Sequence, residues 1–83
     1  MPKPIAERIA EAFRGGEAQL PYYEVARRVF PENDFPRAWR YSSNGGPPGC
    51  FMALTRALNR IGFEIQYRRD GSRMVRRPSP YRR

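Results

Sequence analysis

The chain has 83 residues, no histidine and one cysteine, with 16 Lys plus Arg against 8 Asp plus Glu, a net charge of +8. That length supports one domain, which buries only roughly 60–65% of its unfolded surface, and the inventory excludes a His relay, a His-ligated metal, an intramolecular disulfide and a Cys-rich zinc site. No apolar run approaches the roughly 18 residues of a membrane span, so the expectation is a cytoplasmic protein that is not an enzyme and needs no cofactor or metal.

The segment from Pro4 to Arg14 reads as an amphipathic helix. Ile5, Ile9, Ala12 and Phe13 recur at helical spacing, while Glu7, Arg8, Glu11 and Arg14 fill the other face. Pro4 suits a first turn, and Gly15-Gly16 is a stop. Glu17 to Leu20 has room for a brief strand or a turn. Pro21 then opens a second helix with Tyr22, Val25, Ala26 and Val29 on one face, and Pro31 closes it. Tyr22 is expected in the core, with Tyr23 outside and able to touch a phosphate.

Glu32 to Gly49 is irregular and rich in proline and glycine. Within it, Phe35 to Tyr41 predicts one helical turn starting at Pro36. The single tryptophan, Trp39, has two readings: a lid over a small core, which is the expectation, or an aromatic contact to a base or sugar between Arg37 and Arg40. Ser42-Ser43-Asn44-Gly45-Gly46 is a loop by composition. Its second reading is a phosphate cradle at the start of the next helix.

Pro48 to Ile61 is the clearest helix. Phe51, Leu54, Leu58 and Ile61 form one stripe, and Cys50 lies beside it as a buried thiol suited to a reducing compartment. Met52, Ala53, Arg56, Asn59 and Arg60 lie opposite, and no carboxylate occurs between Cys50 and Phe63. Gly62 predicts a left-handed cap. Phe63, Ile65 and Tyr67 then alternate with Glu64, Gln66 and Arg68, and Asp70-Gly71 signals a two-residue hairpin turn. Ser72 to Arg77 returns as the second strand, with Met74 and Arg76 sharing a face. Residues 78–83 read as a flexible basic tail.

The charge is unevenly spread. Met1 to Asp34 holds 5 cations and 6 anions, whereas Phe35 to Arg83 holds 11 cations and 2 anions. Codon bias explains why 15 of the 16 cations are arginine. It does not explain the excess of cations or its position. A block of that sign points to a polyanion, and arginine adds bidentate recognition of phosphate and guanine.

Helix, short strand or turn, helix, irregular link, helix and hairpin: this order resembles a winged helix-turn-helix domain. The resemblance spans residues 4–77 and rests on element order, on the Leu20-Pro21-Tyr22-Tyr23-Glu24-Val25-Ala26 entry to the second helix, and on the Gly62-Phe63-Glu64-Ile65 step into the hairpin. The class is therefore α+β, three helices followed by a C-terminal two-stranded hairpin. The family's turn between second and third helices is a few residues. Here Pro31 to Gly49 intervenes, so an extra helical turn around Trp39 is expected.

The resemblance implies a third helix in the major groove and a hairpin, the wing, on the backbone or minor groove. The residues alone point the same way. Arg56, Asn59 and Arg60, with Met52, are the base-reading candidates of the helix, since Arg suits guanine and Asn suits adenine. Arg68, Arg69, Arg73, Arg76 and Arg77 are the wing candidates, in a density beyond what edge-strand protection requires. Arg37, Arg40, Ser42, Ser43 and Asn44 are the loop candidates. The expected function is sequence-specific binding of double-stranded DNA by a transcriptional regulator associated with the nucleoid, of bacterial, phage or mobile-element type. Its partners would be DNA, a second copy as homodimer or cooperative multimer, and a protein of the transcription machinery. The other readings are an excisionase-like architectural factor, an RNA- or ribosome-binding protein, and an adaptor whose charge serves solubility.

Overall fold

A computed structural model describes residues 3–40 and 46–78. It has three helices and a three-stranded antiparallel sheet, in the order α1 (Ile5–Ala12), β1 (Gln19–Pro21), α2 (Tyr22–Val29), a 3₁₀ turn (Arg37–Trp39), α3 (Gly49–Ile61), β2 (Glu64–Tyr67) and β3 (Arg73–Arg76). Each α-helix is preceded by a proline in extended conformation, Pro4, Pro21 or Pro48. Such a residue fixes the entry φ and forfeits an N–H that the helix start does not use. No helix among the described residues is long and apolar enough to cross a membrane.

The helices turn their predicted stripes inward. Ile9 and Ala12 of α1, Tyr22, Val25, Ala26 and Val29 of α2, and Cys50, Leu54, Ala57 and Leu58 of α3 are buried. Phe13 and Val75 complete the centre of the core. α1 and α2 also exchange arginines. Arg8 of α1 donates to the Val29 carbonyl at the end of α2, at 2.9 and 3.1 Å. Arg28 of α2 donates to the Ala12 carbonyl at the end of α1, at 2.6 Å. The last carbonyls of a helix have no partner within it, so a cation from the neighbour satisfies both hydrogen bond and dipole. α3 ends on Gly62 at φ +93°, with Phe63 N–H bonded to Leu58 O and Gly62 N–H to Asn59 O. This is a Schellman closure, and it turns the chain straight into β2.

The hairpin differs from the expectation in two ways. It is not two-stranded throughout: β1 adds a third strand, and the order is β1-β3-β2. Leu20 and Ile65 flank Val75 from either side, and Val75 is fully buried. Met74 and Arg76 share a face, as expected, and it is the one opposite Val75. The turn is also one residue longer than the Asp70-Gly71 signal predicts. Arg68 N–H bonds Ser72 O at 2.9 Å and Gly71 N–H bonds Arg68 O at 3.0 Å. Three residues therefore connect the strands, and Gly71 takes the left-handed position at φ +90°.

The link between α2 and α3 holds the predicted turn at Arg37–Trp39, with Pro36 at its start. Trp39 is a lid. Its indole N–H donates to Phe30 O at 2.6 Å, and its ring meets Phe51 and Tyr23 edge-on at 5.9 and 5.7 Å. Ser42, Ser43 and Asn44, and the tail from residue 79, lie outside the described residues.

Candidate nucleic-acid interface

The outer side of α3 follows from the helix angle. Advancing 100° per residue from the buried Leu54 puts Met52, Arg56, Asn59 and Arg60 on the far half of the helix, and all four are exposed, as is Ala53. Met52 keeps 64% of its surface in water, an unusual position for a large apolar side chain. Thr55 sits at the boundary, half-buried, 2.7 Å from the Tyr22 hydroxyl.

The tip of the hairpin disposes of its only acid internally. Asp70 Oδ1 accepts from the backbone N–H of Ser72 at 2.9 Å and from its hydroxyl at 2.7 Å. These two bonds hold the Asp70 carboxyl below the usual range. Arg68 and Arg69, immediately before that closed turn, are exposed. Arg76 and Arg77 are exposed at the other end of β3, where Arg77 N–H bonds Ala18 O at 3.0 Å.

Arg73 stands apart from these four. It is half-buried, with its guanidinium carbon 4.2 Å from the centre of the Tyr22 ring and 5.4 Å from that of Phe51. Its neighbour across the ladder, Tyr67, is 74% exposed. Tyr67 shares its strand face with Ile65, as alternation predicts, but lies too near the tip for the core to cover it.

An open groove of about 1200 Å³ runs between α3 and β2. Thr55 and Asn59 line it from the helix, Ile65 and Tyr67 from the strand, and Arg76 and Arg77 also border it. One edge of α3, at Thr55 and Asn59, and the β2 side of the hairpin are thus two walls of one depression, which Met52, Arg56, Arg60, Arg68 and Arg69 do not line. Thr55 and Tyr67 were not recognisable as wall residues from periodicity alone, because each belongs by spacing to a core-facing set.

Charge pairing divides the molecule. Glu11 takes Lys3 and, at 3.6 Å, Arg14; Arg28 pairs with Glu24 at 3.1 Å and Glu17 at 3.6 Å. Arg8 is spent on Val29 O and on the faces of Phe30 and Phe35, at 4.9 and 4.7 Å. Arg27 lies 5.7 Å from the exposed Tyr23 ring. Among the described residues, no arginine from Arg37 onward takes part in an ion pair, and Arg37 and Arg40 are exposed at the ends of the 3₁₀ turn. The cations of the first part of the chain therefore serve the fold. Those of α3 and the hairpin, Arg73 excepted, make no guanidinium hydrogen bond or ion pair among the described residues, although Arg68 helps to lower the Asp70 pKa.

Cys50 carries no chemistry in this arrangement. It is buried, and burial pushes its thiol pKa up, away from the reactive thiolate. Compared with known proteins, the chain matches no family model, no curated protein and no solved structure.

Proposed function

We propose that this chain is a winged helix-turn-helix domain that binds double-stranded DNA, with α3 reading base edges in the major groove and the hairpin holding the backbone or adjacent minor groove. The observation that carries the reading is the set of exposed arginines on α3 and the hairpin that take no ion-pair partner among the described residues. Arg56 and Arg60 stand on α3 beside Asn59, and Arg68, Arg69, Arg76 and Arg77 stand on the hairpin; of these, Asn59, Arg76 and Arg77 line the groove between the two elements. An exposed surface helix normally mixes signs. This one has no acid at all, and the acid at the hairpin tip is consumed by its own turn.

The element order supports the same reading, since a short first strand that pairs with the returning hairpin is what a winged domain requires. The long link is the departure, and Trp39 compensates for it by tying the link to Phe30 and Phe51. One domain of this size covers a half-site, so two copies side by side are needed for a full operator. The regulator role and the nucleoid location belong to this proposal.

The test is a binding comparison at matched salt between a duplex DNA and a structured RNA of equal length. Preference for the duplex is the expected result. Preference for RNA transfers the interface to an RNA- or ribosome-binding protein. Binding of neither below micromolar concentration removes the nucleic-acid reading.

A further inference from the structure

The ladder explains why Arg73 differs from the other hairpin arginines. β1 pairs with β3 only from Arg76 to Met74, whereas Arg73 pairs with Tyr67 alone. At Arg73, then, the hairpin leaves the three-stranded sheet and continues to its tip as two strands. A two-stranded ribbon is marginal by itself and needs an outside contact to hold a direction. Arg73 supplies one. Its guanidinium lies over Tyr22 and close to Phe51. Tyr22 is in turn fixed to α3: its hydroxyl donates to Phe51 O at 2.8 Å and stands 2.7 Å from Thr55 Oγ1, whose own proton is free to complete the pair. The first residue of α2, two successive turns of α3 and the root of the ribbon meet at this point.

We infer that Arg73 is a positioning residue: stacked on Tyr22, it sets the angle between the projecting hairpin and α3, and it does not contact phosphate. Reaching a phosphate would take the guanidinium off two aromatic rings and undo the only two cation–π contacts of the hairpin among the described residues. Arg68, Arg69, Arg76 and Arg77 are left as the phosphate set. The inference rests on the duplex-binding reading for its effect on affinity, but the stacking itself is independent of it.

The experiment compares the full-length wild type with Arg73→Met, Arg73→Lys and Arg69→Met. Met keeps the apolar stem and the fold; Lys keeps the cation. Two quantities are measured: the salt dependence of binding to a duplex DNA, and the backbone order parameters of residues 68–72. Arg73→Met is expected to weaken binding about tenfold with the salt slope of the wild type, and to lower the order parameters at the tip. Arg73→Lys restores most of both. Arg69→Met lowers the slope by about 0.9, as loss of one phosphate contact must, and leaves the order parameters in place. A slope reduced by that same step in Arg73→Met makes Arg73 a phosphate ligand and overturns the inference. So does a tip equally ordered with and without the guanidinium. If the wild type binds no duplex, the proposed function fails, while the relaxation data still decide whether Arg73 holds the hairpin.

Discussion

The most direct consequence of the charge division concerns ionic strength. Arg68 and Arg69 are exposed beside a turn whose one acid is occupied by Ser72. Replacing both by alanine removes two charges from the proposed interface and no hydrogen bond or ion pair from the fold. Each phosphate contact adds about 0.9 to the slope of log K against log salt, so the double variant should lose about 1.8. Between about 50 and 200 mM salt the wild type should then lose roughly tenfold more affinity than the variant. Fluorescence anisotropy on one duplex across that range measures both slopes. The control is Arg28→Ala, which strips a hydrogen bond from Ala12 O and a partner from Glu24. It should melt at lower temperature and keep the wild-type slope. An unchanged slope in the Arg68, Arg69 variant refutes the assignment of the hairpin to the backbone. An altered slope in Arg28→Ala refutes the division between structural and free arginines.

Arg56→Ala or Arg60→Ala should cost about 1–3 kcal/mol on a specific site and flatten sequence preference; equal losses on random DNA would make the residue a phosphate contact only. Leu54 is fully buried, so Leu54→Ala should cost about 2–5 kcal/mol out of a total of roughly 4–12 kcal/mol for a chain of this size. Urea titration followed by Trp39 fluorescence gives the value, and a variant of full stability would dismiss the core assignment. Asp70 is held below its ordinary pKa by hydrogen bonds from Ser72, and Glu11 likewise by its bond to Lys3. Lowered values mean that the contribution of both groups is complete above the usual carboxylate range, near about pH 4. It is lost as pH falls through the depressed values. An NMR titration in which Asp70 ionises like a free aspartate would contradict the turn geometry.

Much of the fold was legible because helices announce themselves by period. The stripes of α1, α2 and α3, the glycine caps and the short turn at Trp39 all follow from spacing and from proline. The sheet was less legible, for reasons of length. β1 has three residues, of which only Leu20 is buried, and its strand character comes from pairing with a segment more than fifty positions away. In β3 the short apolar run Met74-Val75 offers both parities, and register decides for Val75 because Leu20 and Ile65 already occupy that face. The hairpin turn gained a residue because Arg68, not Arg69, closes the ladder with Ser72. As for the interface, exposure on α3 could be read from the angle alone. The separation of Arg73 from Arg68 and Arg69 could not, since the three look alike in sequence and differ only by what lies under the strand. Nor could the roles of Arg8 and Arg28, which depend on the two helices meeting end to side.

That meeting has an effect on how the molecule assembles. Each of the first two helices completes the other's terminal turn, so a half-docked species, with one helix seated and its companion adrift, would exchange a charge-assisted bond to Ala12 O or Val29 O for water. Such a species is penalised twice over, in lost burial and in a lost charge-assisted hydrogen bond. The pair therefore enters and leaves the native state as one unit, and amide exchange in both helices should report a single opening event.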